Sequence, residues 1–182
     1  MQTESSSRSP FRELPLKIDE SIFYYTIHTF IFSYLYNDSS KEMETKLNQL
    51  ENFGERLGIC LNERVSLDFF ERLGKEKSDI KNLEFIKYIC KEIWTYVFGK
   101  PIDKLQTNHK GTFYLTDLNF KFFSRMDCNK EEQKYFLFAS TFIRSFIRGI
   151  LLGFQLESEV NMESRDNKGE NEFSFAIITK EN

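Results

Sequence analysis

Histidine changes charge near neutral pH and so can shuttle protons at a catalytic site. His109 is the histidine that invites this reading. It stands in the run Leu105, Gln106, Thr107, Asn108, His109, Lys110, Gly111, Thr112, Phe113, Tyr114, Leu115. A general base needs a nucleophile or second acid within reach, and no such partner is recognisable here. His109 is instead expected to cap a backbone group or pack on a neighbour. Arg144 and Arg148 lie one helical turn apart among Phe142, Ile143, Phe146 and Ile147. Guanidinium groups so spaced suit anions or acidic partners. Equally, their stems can cover apolar surface at the edge of a helix. The second reading is favoured for Arg144, and Arg148 stays open. Cys60, Cys90 and Cys128 form no Cys-x-x-Cys pair and no zinc spacing. They are expected to be free thiols in a reducing compartment, with Cys60 and Cys90 as small core residues. No phosphate loop, dinucleotide fingerprint, nucleophile elbow or His-Glu-x-x-His is present. The expectation is a chain with no catalytic, metal or cofactor site, and not an enzyme.

The elements around His109 form a hairpin. Thr112 to Thr116 are β-branched, aromatic or aliphatic, so they favour a strand. Gly111 allows the positive φ of a tight turn. Phe113 and Leu115 share one strand face, Tyr114 and Thr116 the other. Upstream, three helices are expected. The first spans 17–36, the second 41–65 and the third begins at Ser78 or Asn82 and stops at Gly99 and Pro101. Ser39 and Glu42 make a capping box for the second. Residues 66–78 read as a connection with a helical turn from Leu67 to Leu73. Residues 119–129 read as a loop, 131–153 as a fourth helix, 154–162 and 173–179 as strands about a turn at Asn167, Lys168 and Gly169. The order ααα-ββ-α-ββ makes the fold α+β, with helices packed on one face of a four-stranded antiparallel sheet. Residues 1–15 read as a flexible polar tail and 16–182 as a single domain.

Composition narrows the function. The chain holds 20 Phe and 8 Tyr in 182 residues, with a net charge of −3. No basic face is advertised, so nucleic acid is not an expected partner. Gln at position two excludes myristoylation. Ile22–Tyr36 is too short and too polar to span a bilayer, and Tyr135–Leu156 carries Arg144 and Arg148 mid-span. Both read as helices of a soluble protein. In the first, Ile22, Phe23, Tyr24, Tyr25, Ile27, Phe30, Ile31, Phe32, Tyr34 and Leu35 nearly encircle the axis. A helix apolar all round is buried on more than one side. One side faces the chain's own core, and the other is expected to need another chain. Phe23, Tyr24, Ile27, Ile31 and Tyr34 are assigned to that partner, and Ile27→Asp is expected to abolish the pairing. Gly54 and Gly58 lie four apart on the stripe of helix two, where another backbone packs closely. Whether that backbone belongs to this chain or a partner stays open, and both are carried as interface candidates.

The hairpin resembles the signature hairpin of the TRAPP subunit 6 family, Leu-x-Thr-Asn-His-x-Gly-Thr-aromatic, through Leu105, Thr107, Asn108, His109, Gly111, Thr112, Phe113, Leu115 and Asp117. Helix one, Leu50 to Arg64, Phe85 to Phe98, and Arg148, Gly149, Leu151, Glu157 and Ser158 resemble further stretches of that family. Ile89 departs slightly, while Cys90, Lys91 and Trp94 match. The resemblance implies a non-catalytic scaffold subunit, cytoplasmic and peripheral at the cis-Golgi and ER-to-Golgi intermediates. It implies TRAPP subunit 3 and other TRAPP subunits as partners, with helices one and two in the dimer. A Rab GTPase is implied only indirectly, through exchange promoted by the assembled complex, and membrane association only through the complex. Acylation of subunit 3 is not carried over to Cys60. The alternative is a small apolar-ligand module of a related fold, binding lipid or haem in a pocket lined by aromatics.

Overall fold

Residues 20–36, 42–73, 80–123, 130–167 and 170–180 are described by the structure, a computed structural model. The chain runs α1 (Glu20–Tyr36), α2 (Met43–Leu73) and α3 (Asn82–Tyr88), then a π turn (Ile89–Ile93) leading directly into α4 (Trp94–Phe98). The hairpin β1 (Lys104–Thr107) and β2 (Thr112–Asp117) follows, then a 3-10 turn (Lys121–Phe123), α5 (Lys130–Gly153), β3 (Ser158–Asn167) and β4 (Glu170–Thr179). The four strands form one antiparallel sheet in the order β1-β2-β4-β3. The helices pack against that sheet, so the α+β architecture is the one expected.

Strand alternation sets the sheet's two faces. Phe113, Leu115 and Asp117 of β2 pair with Ile177, Phe175 and Phe173 of β4, and all six are buried. Tyr114 and Ile178, at the intervening positions, are exposed. Successive strand residues point to opposite faces, which puts the rings of one face under the helices. There, Phe120 lies within 5.1–6.0 Å of the Trp94, Phe98, Phe122, Phe123, Phe173 and Phe175 rings. The aromatic excess is thus largely a core of rings packed on rings. Phe138, Phe142, Phe146, Ile143 and Ile147 of α5 are buried in it. Gln133–Gly153 is long and apolar enough to cross a membrane, but two thirds of it is buried inside the fold, as a central helix must be.

Several elements differ from the sequence reading, and β3 and β4 run on to Asn167 and back to Glu170 around their turn. α2 does not stop at residue 65 but continues to Leu73. Phe69 decides this: its ring packs on Phe85, Tyr88 and Phe154, and Tyr88 Oη donates to Val65 O at 2.9 Å. Those contacts come from distant parts of the chain and outweigh the weak helix preference of Ser66 and Asp68. β3 begins at Ser158, not at Phe154. Phe154 and Gln155 turn the chain after α5, with Gln155 at φ 62° and Leu151 O accepting from both Phe154 N and Leu156 N at 3.0 Å. The third helical stretch is interrupted by the π turn, and Cys90 O accepts from Ile102 N at 2.9 Å. The 1–15 tail, the Ser39 cap, Ser78, Cys128 and the Lys168-Gly169 turn lie outside the described residues.

Candidate functional site

α1 is the element with most apolar surface left uncovered. Ile22, Tyr25, Phe32 and Tyr36 are 63%, 75%, 57% and 46% exposed. They recur at steps of three, seven and four residues, with exposed Thr29 completing a three-four stripe, the spacing that keeps one helix face on a partner. The Phe32 and Tyr36 rings touch in a tilted arrangement with centroids 4.5 Å apart. Phe30 and Phe53 are also partly exposed, in contact at 4.6 Å, and extend the patch onto α2. Adjacent large apolar side chains left in water mark interaction surfaces.

The residues assigned to the partner from sequence lie elsewhere. Ile31 is fully buried and Ile27 nearly so, both within this chain's core. Phe23 is half-buried against the Phe98 and Phe146 rings. Tyr24 stacks on Phe98 and donates to Phe98 O at 3.3 Å. Tyr34 hydrogen-bonds Gln49 of α2. Ile27 and Ile31 therefore face this chain's own core rather than a partner, while Phe23, Tyr24 and Tyr34 are half-buried and already in contact with residues of the same chain. An all-round apolar helix has no phase in its sequence, and the phase is set by where α4, α5 and the 3-10 turn lie.

At Gly54 and Gly58 the choice left open by the sequence falls to packing within the chain. A Cβ on Gly54 would lie 2.9 Å from Phe142 O, and one on Gly58 would lie 2.2 Å from Phe146 O. From the other side, a Cβ on Gly149 would lie 2.0 Å from Glu55 O. The backbone packed closely on α2 is α5 of the same chain. Arg148 locks this seam: its guanidinium reaches Glu51 at 2.7 Å and Glu55 at 2.5 Å. Burial alone would lower its pKa, but Glu55 and Glu51 outweigh that and hold it above the ordinary arginine value. The open choice at Arg148 thus resolves to an ion pair inside the chain. Arg144 is half-buried at the helix edge, as expected.

The signature residues of the hairpin build the turn. Asn108 Oδ1 accepts from Lys110 N at 2.8 Å and Thr112 N at 3.0 Å, an Asx arrangement. Thr107 Oγ1 donates to Thr112 O at 3.0 Å and accepts from His109 N at 3.1 Å. Gly111 sits at φ 80°, and its carbonyl accepts from Thr179 N and Oγ1, both at 2.9 Å. His109 itself sits at φ 57° and is exposed. Its backbone, not its ring, makes the capping bond, which corrects the expected role. No group of three or more potential metal ligands occurs among the described residues. Cys60 is exposed, not a core residue as expected, while Cys90 is buried, its thiol pushed up to about 12 by that burial.

Sequence reasoning missed the latch beneath the hairpin. Asp117 is fully buried. It accepts from Trp94 Nε1 at 3.0 Å and Asn119 N at 3.1 Å, and pairs with Lys100 Nζ at 2.5 Å. Lys100 also bridges to Asp103 at 2.6 Å. The available signal was Trp94, since a buried indole N–H needs an acceptor.

The profile of the transport protein particle (TRAPP) component family matches residues 24–179. Trafficking protein particle complex subunit 6b of Danio rerio is 33% identical over 147 residues, covering 80% of this chain and 88% of that protein. Subunit 6B of Homo sapiens is 33% identical over 148 residues, covering 80% and 89%. A crystal structure of subunit 3 from Naegleria fowleri, covalently bound to palmitic acid, superposes with a TM-score of 0.68 at 15% identity, covering 91% of this chain and 97% of that one. That last likeness is one of fold.

Proposed function

This chain belongs to the transport protein particle (TRAPP) component family, and we propose that it acts as a non-catalytic scaffold subunit of the TRAPP complex, heterodimerising through α1 with subunit 3. The observation that carries the reading is the uncovered stripe of Ile22, Tyr25, Phe32 and Tyr36. Fully burying one such side chain is worth about 1.5–3 kcal/mol, so four together supply a substantial driving force for association. The proposal places the chain in ER-to-Golgi and Golgi traffic. Rab exchange belongs to the assembled complex, and membranes are met through that complex. The apolar-ligand alternative loses support because the rings expected to line a pocket pack on one another.

The test is light scattering of the full chain, alone and co-expressed with subunit 3. The expected result is a one-to-one complex that Tyr25→Asp disrupts while the variant chain stays folded. Ile27→Asp, by contrast, is expected to unfold the chain itself, because that side chain is buried internally. A monomer indifferent to subunit 3, or a Tyr25→Asp chain that still pairs with unchanged affinity, refutes the assignment.

A further inference from the structure

We propose that the open edge of β3 is a second docking site, which takes an extended segment of a partner protein as a fifth strand with an acidic side chain seated on Arg144. This site uses no α1 side chain and stands independently of the heterodimer reading.

The backbone comes first. β3 is ten residues long and lies at the end of the sheet, with β4 on one side. Ser158 stands opposite Thr179, and Lys180 N donates to Glu157 O at 3.0 Å. In an antiparallel ladder, alternate residues bond the neighbour. Glu157, Glu159, Asn161 and Glu163 therefore face β4. Ser158, Val160, Met162 and Ser164 direct their N–H and C=O groups to the open edge. Among the described residues no strand covers them. Such an edge is a template for strand addition.

The side chains then select the occupant. Where α5 overhangs this edge there is a cleft of about 260 Å³ lined by Glu51, Thr141, Arg144, Ser145, Arg148 and β3 residues 159–161. Its two guanidinium groups differ. Arg148 is already held by Glu51 and Glu55. Arg144 makes only two long bonds, to Ser140 O and Thr141 Oγ1, both at 3.4 Å, and has no carboxylate partner among the described residues. A half-buried guanidinium with spare donors is suited to a carboxylate. Glu159, at the rim of that cleft, and Glu163 alternate with Val160 along β3, are exposed and favour basic cross-strand neighbours. The complementary segment alternates, with Glu or Asp toward α5 and Lys or Arg outward. A second copy of this chain is a poor occupant. Antiparallel pairing about Asn161 would set Glu159 of one copy across from Glu163 of the other, and like charges directly opposite are destabilising.

The probe is a fluorescein-labelled peptide, Val-Thr-Lys-Glu-Lys-Thr-Val, titrated into the full chain by anisotropy, with amide hydrogen exchange on the same mixture. The amides of Ser158, Val160, Met162 and Ser164 are expected to slow at least tenfold on binding. Arg144→Ala, or Glu→Gln in the peptide, is expected to weaken binding at least tenfold. Met162→Pro removes an outward N–H, leaves the β4 ladder intact, and is expected to abolish binding. Should that variant unfold, the exchange pattern and Arg144→Ala decide the matter. Absence of binding at millimolar peptide, affinity unaffected by Arg144→Ala, or protection of the same amides by self-association without peptide overturns the proposal.

Discussion

Gly58→Ala is the sharpest test of how α2 and α5 meet. In an isolated helix the substitution is favourable by about 1 kcal/mol. In this fold the new Cβ would stand 2.2 Å from Phe146 O, 2.8 Å from Ile150 N and 3.0 Å from Gly149 C. All three are backbone atoms of α5, so no side chain can rotate out of the way. Bringing the closest contact to an ordinary distance requires the helices to part by about 1 Å, opening a seam that buries Phe142, Phe146 and Ile150. Overpacking of this kind costs about 1–3 kcal/mol, occasionally more, and rigid backbone on both sides places it at the upper end. Subtracting the propensity gain leaves a net loss of about 2 kcal/mol, or a melting temperature lower by about 4–8 °C for a chain of this size. Urea unfolding followed by the fluorescence of Trp94, the single tryptophan and fully buried, measures it directly. A midpoint that rises, by the amount propensity alone predicts, refutes the close-packed seam.

Asp117→Ala strips the acceptor from Trp94 Nε1 and Asn119 N and leaves Lys100 with Asp103. Two stranded donors make a loss of about 2–4 kcal/mol the expected outcome in urea unfolding, with Asp117→Asn recovering part of it. Asn108→Ala removes the acceptor of two turn amides and is expected to cost about 1–2 kcal/mol and to speed hydrogen exchange at Lys110 and Thr112. Alkali tests the Lys100 pairs. Burial alone would lower the Lys100 pKa, but hydrogen bonds and charge from Asp103 and Asp117 hold it above 10.5. The folded pKa is therefore raised, its contribution is fully present below pH 10.5 and is lost as pH rises through the folded value. Lys100→Met is accordingly expected to flatten the loss of stability measured above pH 10.5, and an unchanged alkaline limb would contradict the pairing.

Helices and strands whose periodicity was strong were legible. The α2 stripe, the Gly99 stop of α4 and the alternation of β2 and β4 follow from local spacing, and the folded chain keeps them. Boundaries that depend on distant contacts were not. Leu67 to Leu73 continue α2 because Phe69 meets Phe85, Tyr88 and Phe154, and no window around residue 69 contains those rings. Phe154 alternates with its neighbours like a strand residue, yet it turns the chain and fills the same aromatic cluster.

The interface candidates divide along the same line. The sequence by itself determined that α1 has more apolar surface than one core contact can cover, that two glycines of α2 need a close backbone, and that a glycine turn joins β1 to β2. Those conclusions rest on residue type and spacing, which are local. Only the tertiary structure decided that Tyr25 and Phe32 face water while Ile27 and Ile31 do not, that the close backbone is α5 of the same chain, and that Asp117 lies under Trp94. Each of these is a matter of phase or pairing between segments far apart in the chain. Periodicity gives a helix its face, but the direction of that face is set by whatever packs against it.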